Sequence, residues 1–481
     1  MGNNSRFFFV ALSISAALGL GDVWLFPYLS NKNSGLFVIP YLVALIVAGV
    51  PLLLLEFSIG QYFNKNVIDL FSSIKKWFSG IGWLMIINAF IVMSFSAVVL
   101  SWYIVYFFVS FGLQWKGDAN AYFFNNVIQI SNGFRNFSRL SLPLFIGLII
   151  AWVLIFVFIK NGYESIRKWF PATLLLFVVL MLFFFVRFLN LNNALTGIYA
   201  FIKPNLKSLY DFRTWKSAFS LAILTLGLSF GIMPAIARKG NKGFMFGNSL
   251  LIIAFKLLTG IAMGFILFAI LGFMSAEKTV SLDRLVFTGY SPVFTVLAQS
   301  LPLFPNPTLL SLMFFIFLGI IFMLGVSSLA YSILHVIVHK FNTKHRNAAI
   351  LISGFGFLGG LLFIIRPGFY ILDIVSHFVY YNIIIAILLE VLAVGWFFDS
   401  EKISDYINHY SVLKIGEAWR FAIRYIIPPI LLLLLFIQIK SDIALNYKNF
   451  QWYYLLVFGI GTAVIPVIVA FLLPQKLLDR K

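Results

Sequence analysis

The chain has no cysteine among its 481 residues, which excludes a disulfide framework and any thiolate-ligated metal site. Acid is scarce: 16 Asp and Glu stand against 35 Lys and Arg, and charged residues make up only 11% of the whole. Soluble domains carry about 25% charged residues, so this is not an ordinary soluble protein. The five histidines form no His-Glu-x-x-His pattern, which removes a common hydrolase signature, and there is no Gly-x-x-x-x-Gly-Lys-Ser/Thr phosphate loop of the kind an ATP-driven pump needs. Nothing resembles a repeated ion-selectivity filter. No enzyme activity is expected, and no cofactor beyond a coupling ion.

Apolar residues fill the space left by charge. They reach 61% of the chain, with 57 Phe and 20 Tyr. The apolar runs are too long for the alternating, roughly ten-residue strands of a membrane β-barrel. A net charge of +19 would suggest nucleic acid in a soluble protein. Here the charges sit in short segments between apolar runs, where they orient a chain in lipid. The expected partners are therefore membrane lipid and a small solute, with no nucleic acid and no obligate protein partner. Met1 to Arg6 leads into apolar sequence without a small-residue cleavage site, which reads as a first span rather than a signal peptide.

A membrane-crossing helix needs about 20 mostly apolar residues. Twelve candidates fit: 7–29, 36–62, 82–114, 143–160, 166–189, 215–238, 246–274, 308–340, 347–366, 371–398, 416–438 and 450–474. An even count puts both termini on one side. With the N-terminus inside, more than half of the Lys and Arg fall in cytoplasmic segments, among them Lys75-Lys76, Arg167-Lys168, Arg238-Lys239 and Arg480-Lys481. Basic residues accumulate on the cytoplasmic side of such proteins. The expectation is a multi-pass protein of the plasma (inner) membrane with both termini cytoplasmic. Lys256 lies inside the seventh predicted span, well away from either end.

Two spans are interrupted in matching places. The first reads Ala16-Ala17-Leu18-Gly19-Leu20-Gly21-Asp22, then Phe26-Pro27; the sixth reads Thr225-Leu226-Gly227-Leu228-Ser229-Phe230-Gly231, then Pro234. Each opens a block of five spans. Glycine breaks at corresponding points of two halves point to an inverted-repeat carrier with its site at the midplane. Unwound backbone is tolerated at that depth only where it is buried or lines a cavity.

These residues, with Ile39-Pro40-Tyr41, Gly49-Val50-Pro51, Glu56, Gly60-Gln61-Tyr62, Trp102, Leu271-Gly272-Phe273-Met274 and Gly325-Val326-Ser327-Ser328, resemble the neurotransmitter:sodium symporter family, whose bacterial leucine transporter gives the fold its name. The match covers roughly residues 6–400. The resemblance implies an all-α membrane protein of twelve transmembrane helices, with a five-plus-five inverted repeat and discontinuous helices 1 and 6. Residues 1–398 would form the ten-helix transport core (repeat one about 7–189, repeat two about 215–398), and 399–481 two additional helices. Alternating access around a central site follows.

Carried over residue by residue, the family's second sodium site falls on the carbonyls of Ser15, Leu18 and Leu324 and the hydroxyls of Ser327 and Ser328. The first falls on Ala17, Asp22, Thr225 and Lys256, where the family usually has Asn in place of Asp22 and Lys256. A lone charge at mid-bilayer costs about 2.5–3.5 kcal/mol even on the lenient insertion scale. Two substitutions of opposite sign at positions that should meet in space suggest an Asp22–Lys256 ion pair with the ammonium in place of sodium. Asp22 as a helix cap and Lys256 snorkelling to water are the competing readings.

The substrate positions fall on Ala17, Leu20, Gly21, Val92, Ser96, Leu224, Thr225, Gly227, Phe230, Ser328 and Ser332. Ser96 replaces the Tyr that anchors a carboxylate in the family. Ser96, Ser328 and Ser332 predict a roomy, wet pocket, with His335 one turn deeper. The family's gating ion pairs are altered: Leu25 stands at the outer-gate Arg position and Asn342 at the inner-gate acid, while Asp373 and Arg6 match poorly. Glu56 is expected to satisfy backbone N–H groups freed in the sixth span. The expected function is secondary symport of a small polar organic solute, amino-acid-like or polyol-like, coupled to one sodium ion. A sodium-independent, proton-coupled symporter using Lys256 and Asp22, and a transport-inactive sensor of the same fold, are the alternatives.

Overall fold

In lipid every backbone N–H and C=O must be satisfied within the protein, so apolar runs of this length fold as helices. The computed structural model describes residues 3–19, 21–134, 136–240, 244–279, 282, 291–412, 414–445 and 447–478, and among these there is no β-strand, only an isolated bridge between Leu140 and Ile365. Among the described residues, ten helices are long and apolar enough to cross a membrane. We number the spans in chain order. Spans 2 to 5 are Gly35–Phe63, Lys76–Val109, Leu142–Ile159 and Tyr163–Leu189; spans 7 to 12 are Met245–Glu277, Pro307–Phe341, His345–Ile364, Gly368–Phe397, Gly416–Asn449 and Trp452–Leu472.

The other two spans are broken, as the glycine pattern predicts. Span 1 consists of Arg6–Ala17 (1a) and Gly21–Lys32 (1b), which meet at 69°. Span 6 consists of Phe212–Thr225 (6a) and Ile232–Ala237 (6b). Between its halves Gly227, Ser229 and Gly231 take φ of +67°, +61° and +69°, a left-handed backbone that glycine adopts without steric penalty. Both broken spans lie inside a cage made largely by spans 2, 7 and 8.

The helix of span 11 continues to Leu445, past the predicted end at residue 438. Lys440 and Asp442 interrupt the apolar run there, but Asp442 has partners on span 10: His377 Nε2 lies 2.8 Å from its Oδ2, and the Tyr381 hydroxyl donates to the same oxygen at 2.5 Å. A paired carboxylate lets the helix continue where a lone one would end it.

Half-helix 6b is short and depends on its neighbours. Gly60 of span 2 faces it so closely that an added Cβ would lie 2.6 Å from both the Cα and the carbonyl oxygen of Pro234. Small residues at such crossings let membrane helices approach. Gly60→Ala is expected to lower stability by about 1–3 kcal/mol, the usual range for overpacking. Thermal unfolding in detergent reads this out, and an unchanged midpoint would contradict the contact.

Candidate functional site

The helix of span 1 stops at Ala17 for local reasons. Glycine in a helix interior costs about 1 kcal/mol relative to alanine, and the break carries Gly19 and Gly21. Asp22 then competes for the backbone, as short polar side chains do: the Gly19 N–H donates to Asp22 Oδ2 (3.1 Å), and the Asp22 N–H donates to the Gly19 carbonyl (3.1 Å). The donors that would close the next helical turn are diverted, which leaves span 1 carbonyls available to other partners.

Lys256, midway along span 7, takes one of them. Its Nζ donates to the Ala17 carbonyl at 2.8 Å and lies 2.8 and 2.9 Å from Asp22 Oδ1 and Oδ2. The two side chains are 2% and 1% exposed, so neither charge has water to lean on, and their pairing keeps the centre electrically neutral. Thr225 closes the group from 6a, donating its hydroxyl to the Leu221 carbonyl at 2.6 Å. Its methyl fills the space a side chain on Gly21 would need. Tyr41 of span 2 is buried beside both Thr225 and Asp22. The structure thus brings Ala17, Asp22, Thr225 and Lys256 together with an ammonium at their centre. Cap and pair are not exclusive readings of Asp22, since one carboxylate does both.

A second oxygen-rich group lies where 1a packs against span 8. Gly325 approaches the break so closely that a Cβ there would sit 3.4 Å from the Leu18 carbonyl oxygen. Ser15 and Leu18 belong to the last turn of 1a and the break, and Leu324, Ser327 and Ser328 to the facing turn of span 8. The Ser328 hydroxyl donates to the Leu324 carbonyl at 2.8 Å, which leaves its lone pairs available as acceptors. The Ser327 Oγ is fully buried with no hydrogen-bond partner. A buried polar atom left unpaired costs about 1–3 kcal/mol. Folded proteins keep few such atoms, and an ion or water commonly occupies the place beside them. Carbonyl and hydroxyl oxygens are hard donors of the kind that suit hard cations.

Between the breaks and spans 3, 8 and 10 lies a cavity of about 270 Å³. Ala17, Gly21, Val92, Ser96, Leu224, Thr225, Gly227 and Phe230 line it, as the sequence leads one to expect. Leu20 lies outside the described residues. Ser328 and Ser332 do not line the cavity. Ser332 donates instead to the carbonyl of Phe230 at 2.6 Å, because an unwound carbonyl at this depth has no water to bond. The wall is consequently more apolar than the serine pattern suggests, with Phe95, Phe230 and Phe322 prominent. Sequence reasoning missed span 10 altogether. Ser376 and Tyr380, four residues apart on one helix face, also line the cavity, and Tyr380 donates to Ser220 Oγ of 6a at 2.9 Å. That i, i+4 polar pair in an apolar span was the available signal.

The surrounding groups fall as follows. Glu56 Oε1 accepts the Ser229 N–H at 2.5 Å, so the carboxyl supports the unwound stretch as expected. Asp373 pairs with Lys448 at 2.7 Å, and Arg6 Nε donates to Asn248 Oδ1 at 2.9 Å. Asn342 is the left-handed residue that ends span 8. His335 Nε2 lies 3.1 Å from Arg238 Nη1.

Comparisons with known proteins agree with this architecture. The sequence profile of the sodium:neurotransmitter symporter family matches residues 2–122 and 114–478. An uncharacterized sodium-dependent transporter of Methanocaldococcus jannaschii is 29% identical over 472 residues, covering 96% of this chain and 95% of its own. The human sodium- and chloride-dependent GABA transporter 2 is 27% identical over 470 residues, 87% of this chain and 77% of its own. The Drosophila melanogaster GABA transporter ine is 26% identical over 463 residues, 86% of this chain and 48% of its own.

Proposed function

The chain belongs to the sodium:neurotransmitter symporter family, and from that premise we propose that it moves a small amino-acid-like organic solute with one sodium ion, the Lys256 ammonium standing where the family's first sodium would. As a family member it is a multi-pass, sodium-dependent symporter with the leucine-transporter fold. The proposed division is a ten-helix core over residues 1–398, with repeats of about 7–189 and 215–398, and two further helices in 399–481. The positive-inside bias supports a plasma-membrane orientation with both termini cytoplasmic.

One observation carries the stoichiometry: the Lys256 Nζ is 2.8 Å from the Ala17 carbonyl and 2.8 Å from the Asp22 carboxylate. A cation already held by those oxygens leaves no room, and no net negative charge, for sodium. The group of Ser15, Leu18, Leu324, Ser327 and Ser328 is then the coupling site. Sodium there would tie the break of span 1 to span 8, and the solute would fill the adjacent cavity against Ser96, Phe230 and the exposed backbone of both breaks. A ligand shifts a conformational equilibrium only by its differential affinity for the two states. Coupling therefore requires that sodium bind best to the state in which spans 1 and 8 are together.

The test is solute uptake and counterflow in proteoliposomes under an inward sodium gradient, with γ-aminobutyrate, small neutral amino acids and polyols as probes. Sodium-driven, saturable exchange with a sodium dependence of slope one is expected. Accumulation driven by a pH gradient without sodium would replace this reading with the proton-coupled one. Binding without exchange would indicate a sensor.

A further inference from the structure

Half-helix 6b is only six residues long (Ile232–Ala237), too short to hold itself in one orientation. Span 8 grips it at both ends. Upstream, Ser332 donates to the Phe230 carbonyl at 2.6 Å. Downstream, Arg238, the residue that ends 6b, places Nη1 3.1 Å from His335 Nε2. Ser332 and His335 are three residues apart and so share a helix face. Arg238 is held from the other side too, since its Nε donates to Asn64 Oδ1 at 2.8 Å, at the end of span 2.

The chemistry of the downstream contact is constrained. A guanidinium only donates and keeps its proton at any accessible pH. His335 Nε2 must therefore accept, which a neutral imidazole does and an imidazolium cannot. The titratable and charged groups facing His335 are Tyr331 and His339 on its own helix, Arg238 and Lys239 at the end of 6b, and His345 at the start of span 9. None of them is a carboxylate. His339 Nδ1 contacts the His335 carbonyl at 2.8 Å, which fixes the backbone of this turn rather than the imidazole charge.

We infer that His335 is a positioning residue of the transport cycle: as a neutral imidazole it holds Arg238 and keeps 6b closed on the side bearing the termini, and its protonation releases the half-helix. The inference rests on the alternating-access reading. The closed form excludes the proton, so acid on that side favours release and alkali favours closure. An imidazole in water titrates near pH 6.5. A proton that binds only the released form shifts the closed-to-released balance by about tenfold between pH 7.5 and pH 5.5.

The natural absence of cysteine makes a direct test possible. Leu329→Cys places a single thiol on the cavity wall, and a membrane-impermeant methanethiosulfonate is added from the Arg238 side in inside-out vesicles. Rates are normalised to Phe341→Cys at the exposed end of span 8, which removes the pH dependence of the thiol itself. The normalised rate is expected to rise about tenfold from pH 7.5 to pH 5.5. In His335→Gln, whose amide oxygen still accepts from Arg238, it stays low at both pH values. In His335→Lys it is high at both. A rate that responds to sodium but not to pH overturns the role of His335 and leaves the symporter reading standing. A rate indifferent to both ions removes the symporter reading and this inference with it. If the lysine variant does not fold, the flat profile of the glutamine variant decides alone.

Discussion

Lys256→Met should lower stability by about 3–5 kcal/mol, the range expected when one partner of a buried ion pair is removed and the other is stranded. The Asp22 carboxylate is 1% exposed and its two oxygens share one ammonium, with the Gly19 N–H as a further hydrogen-bond donor. Asp22→Asn should harm less, because an amide oxygen still accepts from Gly19 and Lys256 keeps the Ala17 carbonyl. The double variant Asp22→Asn/Lys256→Met should be more stable than the lysine variant alone, since nothing charged is left in the dry centre. Thermal unfolding of the four proteins in detergent gives the coupling directly. Strictly additive losses would count against the pair. The Asn/Asn double variant goes further. It restores the polar pair common in the family and opens the position of the ammonium, so its sodium dependence should steepen from a slope of one toward two. A slope that stays at one, in a folded protein, would mean that the ammonium does not stand in for an ion.

Ser327→Ala should separate two effects of opposite sign. In the wild type, sodium at 100 times its dissociation constant adds about 2.7 kcal/mol of apparent stability if it binds only the native state. Removing one oxygen donor should abolish most of that gain and weaken sodium-dependent uptake by at least tenfold. Without sodium the same substitution should leave the protein no less stable, because it removes a buried hydroxyl that has no partner. Melting curves with sodium, and with choline as the control cation, test both signs. A variant that melts like the wild type in both salts would place the coupling ion elsewhere.

The breaks were legible because paired glycines weaken a helix at a depth where lipid tolerates no unsatisfied backbone, so they stand where a cavity or a neighbouring helix takes over the freed groups. The Asp22–Lys256 contact was legible because each residue alone is expensive in lipid and only the other could offset it. Ser328 and Ser332 stand outside the cavity lining for the reason that makes serine ambiguous: one hydroxyl serves equally well facing a solute or facing the next carbonyl. Ser376 and Tyr380 were overlooked because two hydroxyls in a long apolar span carry no charge cost that would flag them.

Composition, run length and glycine placement determined by themselves that this chain crosses a membrane many times and unwinds twice in the middle. Those features follow from the free energy of exposing backbone and charge to hydrocarbon, which is local and additive along the sequence. Which hydroxyl turns to the cavity, how far span 11 continues, and that Arg238 meets His335 were decided only by the fold. Each depends on an acceptor or donor supplied from 65 to 102 residues away, and no local pattern records where that partner will stand.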